Sequence, residues 1–119
     1  MQINKILVLS LVLLYAGCTT VSEAGYYWGN YSKTYYTVIK EPSAENLAAH
    51  EESLRKIMRI SEERGLRVGP GIYAELAYLV SQRNADDEAL ALYQKEMMLY
   101  PESKIFLERL VNANNKEEG

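Results

Sequence analysis

The residues from Pro70 to Pro101 constrain this chain most. Apolar side chains recur there at helical spacing on both sides of a polar break, Asn84–Asp87. Two amphipathic helices joined by so short a break fold back on each other as a hairpin. Ala77 and Ala89 are small, which lets the two helices approach closely, while Tyr73, Leu76, Val80 and Tyr93 fill the space around them. Asp86 and Asp87 suit the start of the second helix as caps and as charges facing its positive end. Pro70 suits the first turn of the first helix, and Pro101 ends the second.

The hairpin resembles one tetratricopeptide repeat. Tyr73, Leu76, Ala77, Ala89, Tyr93 and Pro101 fall at the signature offsets of that repeat, within a unit of about 34 residues. Two positions depart from it. Val80 stands where a larger aromatic is usual, and Glu96 where a small residue is usual. The resemblance implies a concave face carrying Gly71, Ala74, Tyr78 and Ser81, with Tyr78 as the leading groove contact and packing between helices as its plainer role. A repeat cannot bury its faces alone, so helices on either side must cover it.

Those neighbours are legible. Ser43 is a good N-cap with Glu45 in the first turn, and Leu47, Ala48, Leu54, Ile57 and Met58 form one stripe that runs to a C-capping Gly65. The opposite face, with Glu52, Arg55, Lys56, Arg59, Glu62 and Glu63, reads as solvated. His50 lies at the edge of the stripe, and no Ser, Cys or second His joins it in a catalytic set by sequence, so it reads as structural or surface. After Pro101, Ser103 can cap a final helix with Phe106, Leu107, Leu110 and Val111 inward. The predicted fold is all-α: a tetratricopeptide-like antiparallel hairpin flanked by a long N-terminal helix and a short C-terminal helix. The helical domain spans 43–113, followed by a flexible tail, 114–119.

Before the domain comes an address. Lys5 precedes an apolar run from Ile6 to Tyr15, long enough for a signal-peptide core and too short to span a bilayer. The run ends in Leu14-Tyr15-Ala16-Gly17-Cys18, which resembles the bacterial lipobox, with Tyr15 in place of the usual Leu. The resemblance implies a signal peptide over 1–17, lipidation of Cys18, and a membrane anchor there. Thr19 after the cysteine implies transfer to the outer membrane. The alternative is an ordinary signal peptide with an incidental cysteine. Cys18 is the one cysteine, so no disulfide forms within the chain, and with a single His no metal site is expected.

Residues 18–25 read as a tether and 26–42 as an aromatic-rich cap. Five of the ten tyrosines fall between positions 26 and 36, around the only tryptophan, Trp28. Tyr31, Tyr35, Val38 and Ile39 share a helical face, which predicts a helix from Tyr31 to Lys40, stopped by Glu41-Pro42. The aromatics have three readings: a cap on the core, an interfacial belt near the membrane, or a platform for a partner or glycan. Tyr26, Tyr27, Trp28, Tyr31 and Tyr78 are the partner-binding candidates.

The formal charge of −3, or −4 without residues 1–17, and the lack of a basic stripe argue against a nucleic-acid partner. No phosphate loop, nucleophile motif or cofactor motif occurs, so no enzymatic activity and no cofactor is expected. The order of lipobox, Tyr-Tyr-Trp-Gly-x-Tyr, long helix and a hairpin ending in Tyr-Pro-Glu-Ser resembles a family of small bacterial lipoproteins built on a domain of unknown function. Genes of that family commonly lie beside those of curli-secretion-channel-like lipoproteins. The resemblance implies an outer-membrane accessory role. The repeat-like hairpin on a lipid tether suggests a non-catalytic interaction or assembly module on the periplasmic face of that membrane, with an envelope protein as partner, a curli-secretion-channel-like lipoprotein being one candidate. The alternative is a peptidoglycan or glycan binder using the aromatics 26–36.

Overall fold

Local signals place the first helices. The computed structural model describes residues 25–117, so the leader, Cys18 and the tether up to residue 24 lie outside the described residues. Helix α1 is Tyr31–Lys40. Helix α2 is Ala44–Glu63, opened by Ser43, whose hydroxyl accepts from the Asn46 N–H at 3.1 Å. Gly65, at φ +63°, ends α2. Its N–H reaches the Glu62 carbonyl and the Leu66 N–H reaches that of Ser61, which is a Schellman closure.

The hairpin follows as α3, Ile72–Ser81, and α4, Asp86–Leu99. Asn84 takes the left-handed conformation between them at φ +59°. The Ala85 N–H bonds back to the Val80 carbonyl and the Asn84 N–H to that of Ser81, so the same closure turns the chain. Asp86, Asp87 and Glu88 occupy the first turn of α4 and complement its dipole; the capping position itself is Ala85, and no side chain caps there. A 3₁₀ turn, Pro101–Ser103, leads into α5, Lys104–Glu117. The described residues are all-helical, with no strand among them.

The core is shared by α2, α3, α4 and α5. Leu54 and Ile57 of α2, Leu76, Ala77 and Val80 of α3, Ala89, Leu92 and Tyr93 of α4, and Leu107 of α5 are buried together. Each such Leu or Ile contributes about 1.5–3 kcal/mol relative to exposure.

Three details differ from the sequence reading. Pro70 does not open α3, because Gly71 at φ +90° interrupts the helical path and the helix begins at Ile72. Phe106 is exposed while Leu107 is buried, because Phe106 lies about 100° round α5 from the buried position. Helix α5 also continues beyond residue 113, through Glu117. Asn115 and Lys116 are exposed there, and no Pro or Gly in that stretch breaks the backbone ladder.

Glu96 departs from the repeat pattern for a reason visible in space. Gly71 has no side chain to cap α3, so the start of that helix lacks a local acceptor. Glu96 supplies one from across the hairpin, its Oε1 accepting from the Gly71 N–H at 2.7 Å. Burial pushes the Glu96 carboxyl above the usual carboxylate range, and the N–H groups of Gly71, Ala74 and Tyr73 pull it part of the way back.

Candidate functional site

The aromatic segment is held in place by ring contacts on several elements. Trp28 lies against Gly69 in the α2–α3 loop, where a Cβ would meet the indole at 2.9 Å, so no larger residue fits beneath it. Tyr26 meets Trp28 edge-on, and Trp28 meets Tyr31 edge-on at 5.6 Å. Tyr31 stacks on Tyr35, with 5.6 Å between centroids and planes 10° apart. Tyr27 lies beneath the Arg64 guanidinium at 5.0 Å. The same stretch of the loop is held by Tyr100, whose hydroxyl donates to the Val68 carbonyl at 2.5 Å and whose ring carries the Arg67 guanidinium at 4.7 Å. Burial pushes the Tyr100 hydroxyl above the ordinary tyrosine range, and the neighbouring Tyr26 hydroxyl adds to it. The two most distinctive stretches of the sequence, 26–31 and 100–103, therefore meet at one loop.

Beneath the aromatics runs a chain of polar contacts. The hydroxyl of Thr34 in α1 is 2.7 Å from Nδ1 of His50 in α2. His50 Nε2 is 2.6 Å from Oε1 of Glu75 in α3. Tyr31 donates to the second oxygen of Glu75 at 2.8 Å. Burial and the Glu75 carboxyl hold the Tyr31 hydroxyl well above its ordinary range, so it stays a donor. His50 is 2% exposed and flanked by the rings of Tyr31 and Tyr35.

A hydroxyl, an imidazole and a carboxyl thus stand in series across three helices. The Thr34 hydroxyl also lies 3.2 Å and 3.1 Å from the Asn30 and Tyr31 carbonyls of its own helix. It is a side chain back-bonded to the backbone, and the series ties α1 to α2 and α3. Spacing did not reveal this set, because its members lie 16 and 25 residues apart in the chain.

Tyr78 lies elsewhere, over a groove between α2 and α3. Helix α3 has ten residues and α2 has twenty. Arg83, just past α3, pairs with Glu51 at 2.9 Å, and the first turns of α2 lie across this groove from the last turn of α3. The apolar stripe of α2 continues there, and its Leu47 is left 40% exposed. Tyr78 is 49% exposed on the facing wall. The groove holds about 430 Å³, with Ala48 and Leu79 in its floor. It is bordered by a chain of ion pairs, Arg83–Glu51–Arg55–Glu88. Burial acts against the Glu51 carboxylate, but hydrogen bonds from Arg83 and Arg55 outweigh it and hold the carboxyl below its usual range.

The sequence candidates thus fall into two groups. Tyr26, Tyr27, Trp28 and Tyr31 form the aromatic strip, and Tyr78 belongs to the separate groove. Cys18 lies outside the described residues. Within the aromatic segment Tyr31 is stacked against Tyr35, Tyr27 is covered by Arg64 and Trp28 lies on Gly69, while Tyr26, Trp28, Tyr35 and Tyr36 keep exposed surface. The groove offers apolar surface with a charged border, which suits a segment of another protein. Among the described residues, no cluster of three or more His, Cys, Asp or Glu side chains could hold a metal ion.

A sequence model of the family described as Domain of unknown function (DUF4810) matches residues 26–110, from the aromatic segment into α5. No curated protein and no solved structure matches the chain.

Proposed function

We propose that this chain, which belongs to the DUF4810 family, is an outer-membrane lipoprotein acting as a non-catalytic interaction module in the assembly of an envelope complex. The observation that supports this reading most is the open groove under Tyr78 and Leu47. Helical surfaces of this kind take an extended or helical segment of a partner, with aromatic anchors supplying much of the binding energy. Taken as one tetratricopeptide-like unit, the α3–α4 hairpin carries Tyr78 on its inner face, and α2 stands in for the neighbouring repeat. A lipid on Cys18 would hold the module on the periplasmic face of the outer membrane. A curli-secretion-channel-like lipoprotein is the first partner to test, from the gene neighbourhood of the family the chain resembles.

The test is photo-crosslinking in cells from a reactive residue placed at Tyr78, with Cys18→Ser as the mislocalised control. The expected result is one defined envelope protein, lost in the control. Recovery of abundant envelope proteins alone, equally from both, would overturn the reading. Sedimentation with purified peptidoglycan, abolished by Trp28→Ala with Tyr31→Ala, would put glycan binding in its place.

A further inference from the structure

The outer face of α1 has no role in the groove or in the polar series. Thr34 faces α2, where it meets His50. Next to Thr34, Tyr35 has one side against the His50 ring and keeps the rest open, and Ile39 and Tyr36 follow round the helix, away from α2. Tyr36 is 65% exposed and Ile39 64% exposed, high values for side chains of that size. Trp28 and Tyr31 extend the strip past the start of the helix, ring against ring.

Charge separates this face from the rest of the molecule. Lys33 and Lys40 border the strip, both are exposed, and neither forms an ion pair among the described residues. Residues 25–40 carry these two cations and no carboxylate, whereas residues 41–117 carry ten basic and fourteen acidic side chains. An anionic sheet therefore repels most of the chain and attracts this face, which orients the molecule.

We infer that the outer face of α1, with Trp28, Tyr35, Tyr36, Ile39, Lys33 and Lys40, rests on an anionic phospholipid surface. Tyrosine and tryptophan are favoured at the level of lipid headgroups because they pair an apolar body with a polar tip. Ile39 adds apolar area between the rings, and lysines beside it can lay their stems on the surface and extend their ammonium groups to phosphates. The seven residues between Cys18 and Tyr26 reach about 25 Å when extended, which keeps the face within range of an anchored N-terminus. The inference rests on the lipid-anchor reading for proximity alone, and the experiment separates the two.

Trp28 is the only tryptophan, so its fluorescence reports on this face alone. The protein is purified from cell envelopes and placed on phosphatidylcholine vesicles, with or without phosphatidylglycerol, that carry bromine-labelled acyl chains. Flotation reads anchoring, and quenching of Trp28 reads contact of the face. A second sample, the whole Cys18→Ser chain with an N-terminal histidine tag, is held on nickel-chelating lipid, so that contact is read whether or not Cys18 is lipidated. The expected result is quenching in both samples on phosphatidylglycerol vesicles, weakened by salt. Each lysine near such a surface is worth about fivefold in binding. Removing both, as in Lys33→Glu with Lys40→Glu, should therefore lower the contact by at least about 25-fold. Tyr36→Ser with Ile39→Ser should lower it too, and all four positions are exposed, so helix content should be unchanged. Flotation without quenching in the first sample would overturn the inference and leave the anchor standing. Failure to float, with quenching retained on nickel-chelating lipid, would overturn the anchor and keep the inference. Crosslinks from position 36 to a protein rather than to lipid would also overturn it.

Discussion

Replacing Glu75 by Ala tests whether the polar series holds α1 in place. The carboxyl accepts from Tyr31 at 2.8 Å and contacts His50 Nε2 at 2.6 Å. With His50 2% exposed, truncation leaves a ring nitrogen without a partner where water has little access. An orphaned buried polar group costs about 1–3 kcal/mol, and the lost Tyr31 bond adds about 1 kcal/mol. The half-buried Tyr31 hydroxyl can turn to water, and the Glu75 side chain is itself 25% exposed, so truncation lets some water reach His50. The lower part of the range applies, and the expected loss is about 2–3 kcal/mol. For a domain of this size that corresponds to a fall in Tm of roughly 10–20 °C. The assay is thermal unfolding followed by circular dichroism, with Trp28 fluorescence reporting on the aromatic strip. Glu75→Gln keeps an acceptor for His50 and should cost about 1 kcal/mol or less. Tyr31→Phe combined with Glu75→Ala should show a coupling of about 1 kcal/mol. Melting of Glu75→Ala within about 0.5 kcal/mol of the parent, or strict additivity in the double variant, would refute the reasoning.

Other parts of the fold predict further outcomes. Ala77 is fully buried between the hairpin helices, so Ala77→Trp should overpack them and lower stability by about 1–3 kcal/mol in chemical denaturation; unchanged stability would contradict their close approach. Two carboxyls should respond to pH with opposite signs. Glu51, held below its usual range, contributes stability that is present above its unfolded pKa and lost as pH falls through its folded value, so Glu51→Gln should flatten the acid loss of stability. Glu96 is raised, so its contribution is present below the unfolded pKa and lost as pH rises through the folded value. Glu96→Gln should therefore remove a loss of stability that the parent shows on going from acid to neutral pH, and parallel profiles would contradict the assignment.

Much of the frame was legible in the chain. Ser43 caps α2, Gly65 closes it, and α1 runs from Tyr31 to Lys40 as its apolar spacing and the following Glu41-Pro42 predict. Ala77, Leu76, Val80 and Tyr93 are buried where the hairpin pattern places them. Reading Phe106 as inward failed because it lies about 100° from Leu107, beyond the edge of the face that Leu107, Leu110 and Val111 turn to the core, and composition does not say where that face ends. His50 read as structural or surface; it is buried, and its partners were not legible. Nor did the pattern explain Glu96, which looked like a misfit within its own helix.

The sequence by itself determined the all-α class, the ends of α1 and α2 and the hairpin, because capping, periodicity and chain breaks act between residues a few positions apart. Tertiary structure alone decided that Thr34, His50 and Glu75 meet, that Glu96 caps a helix it does not belong to, and that Gly69 makes room for Trp28. It also decided which apolar residues stay uncovered: Leu47 at the open α2–α3 groove, and Tyr36 and Ile39 because α1 meets its neighbours with one face only. Such exposure depends on the relative length and placement of packed helices, and no short stretch of sequence carries that information.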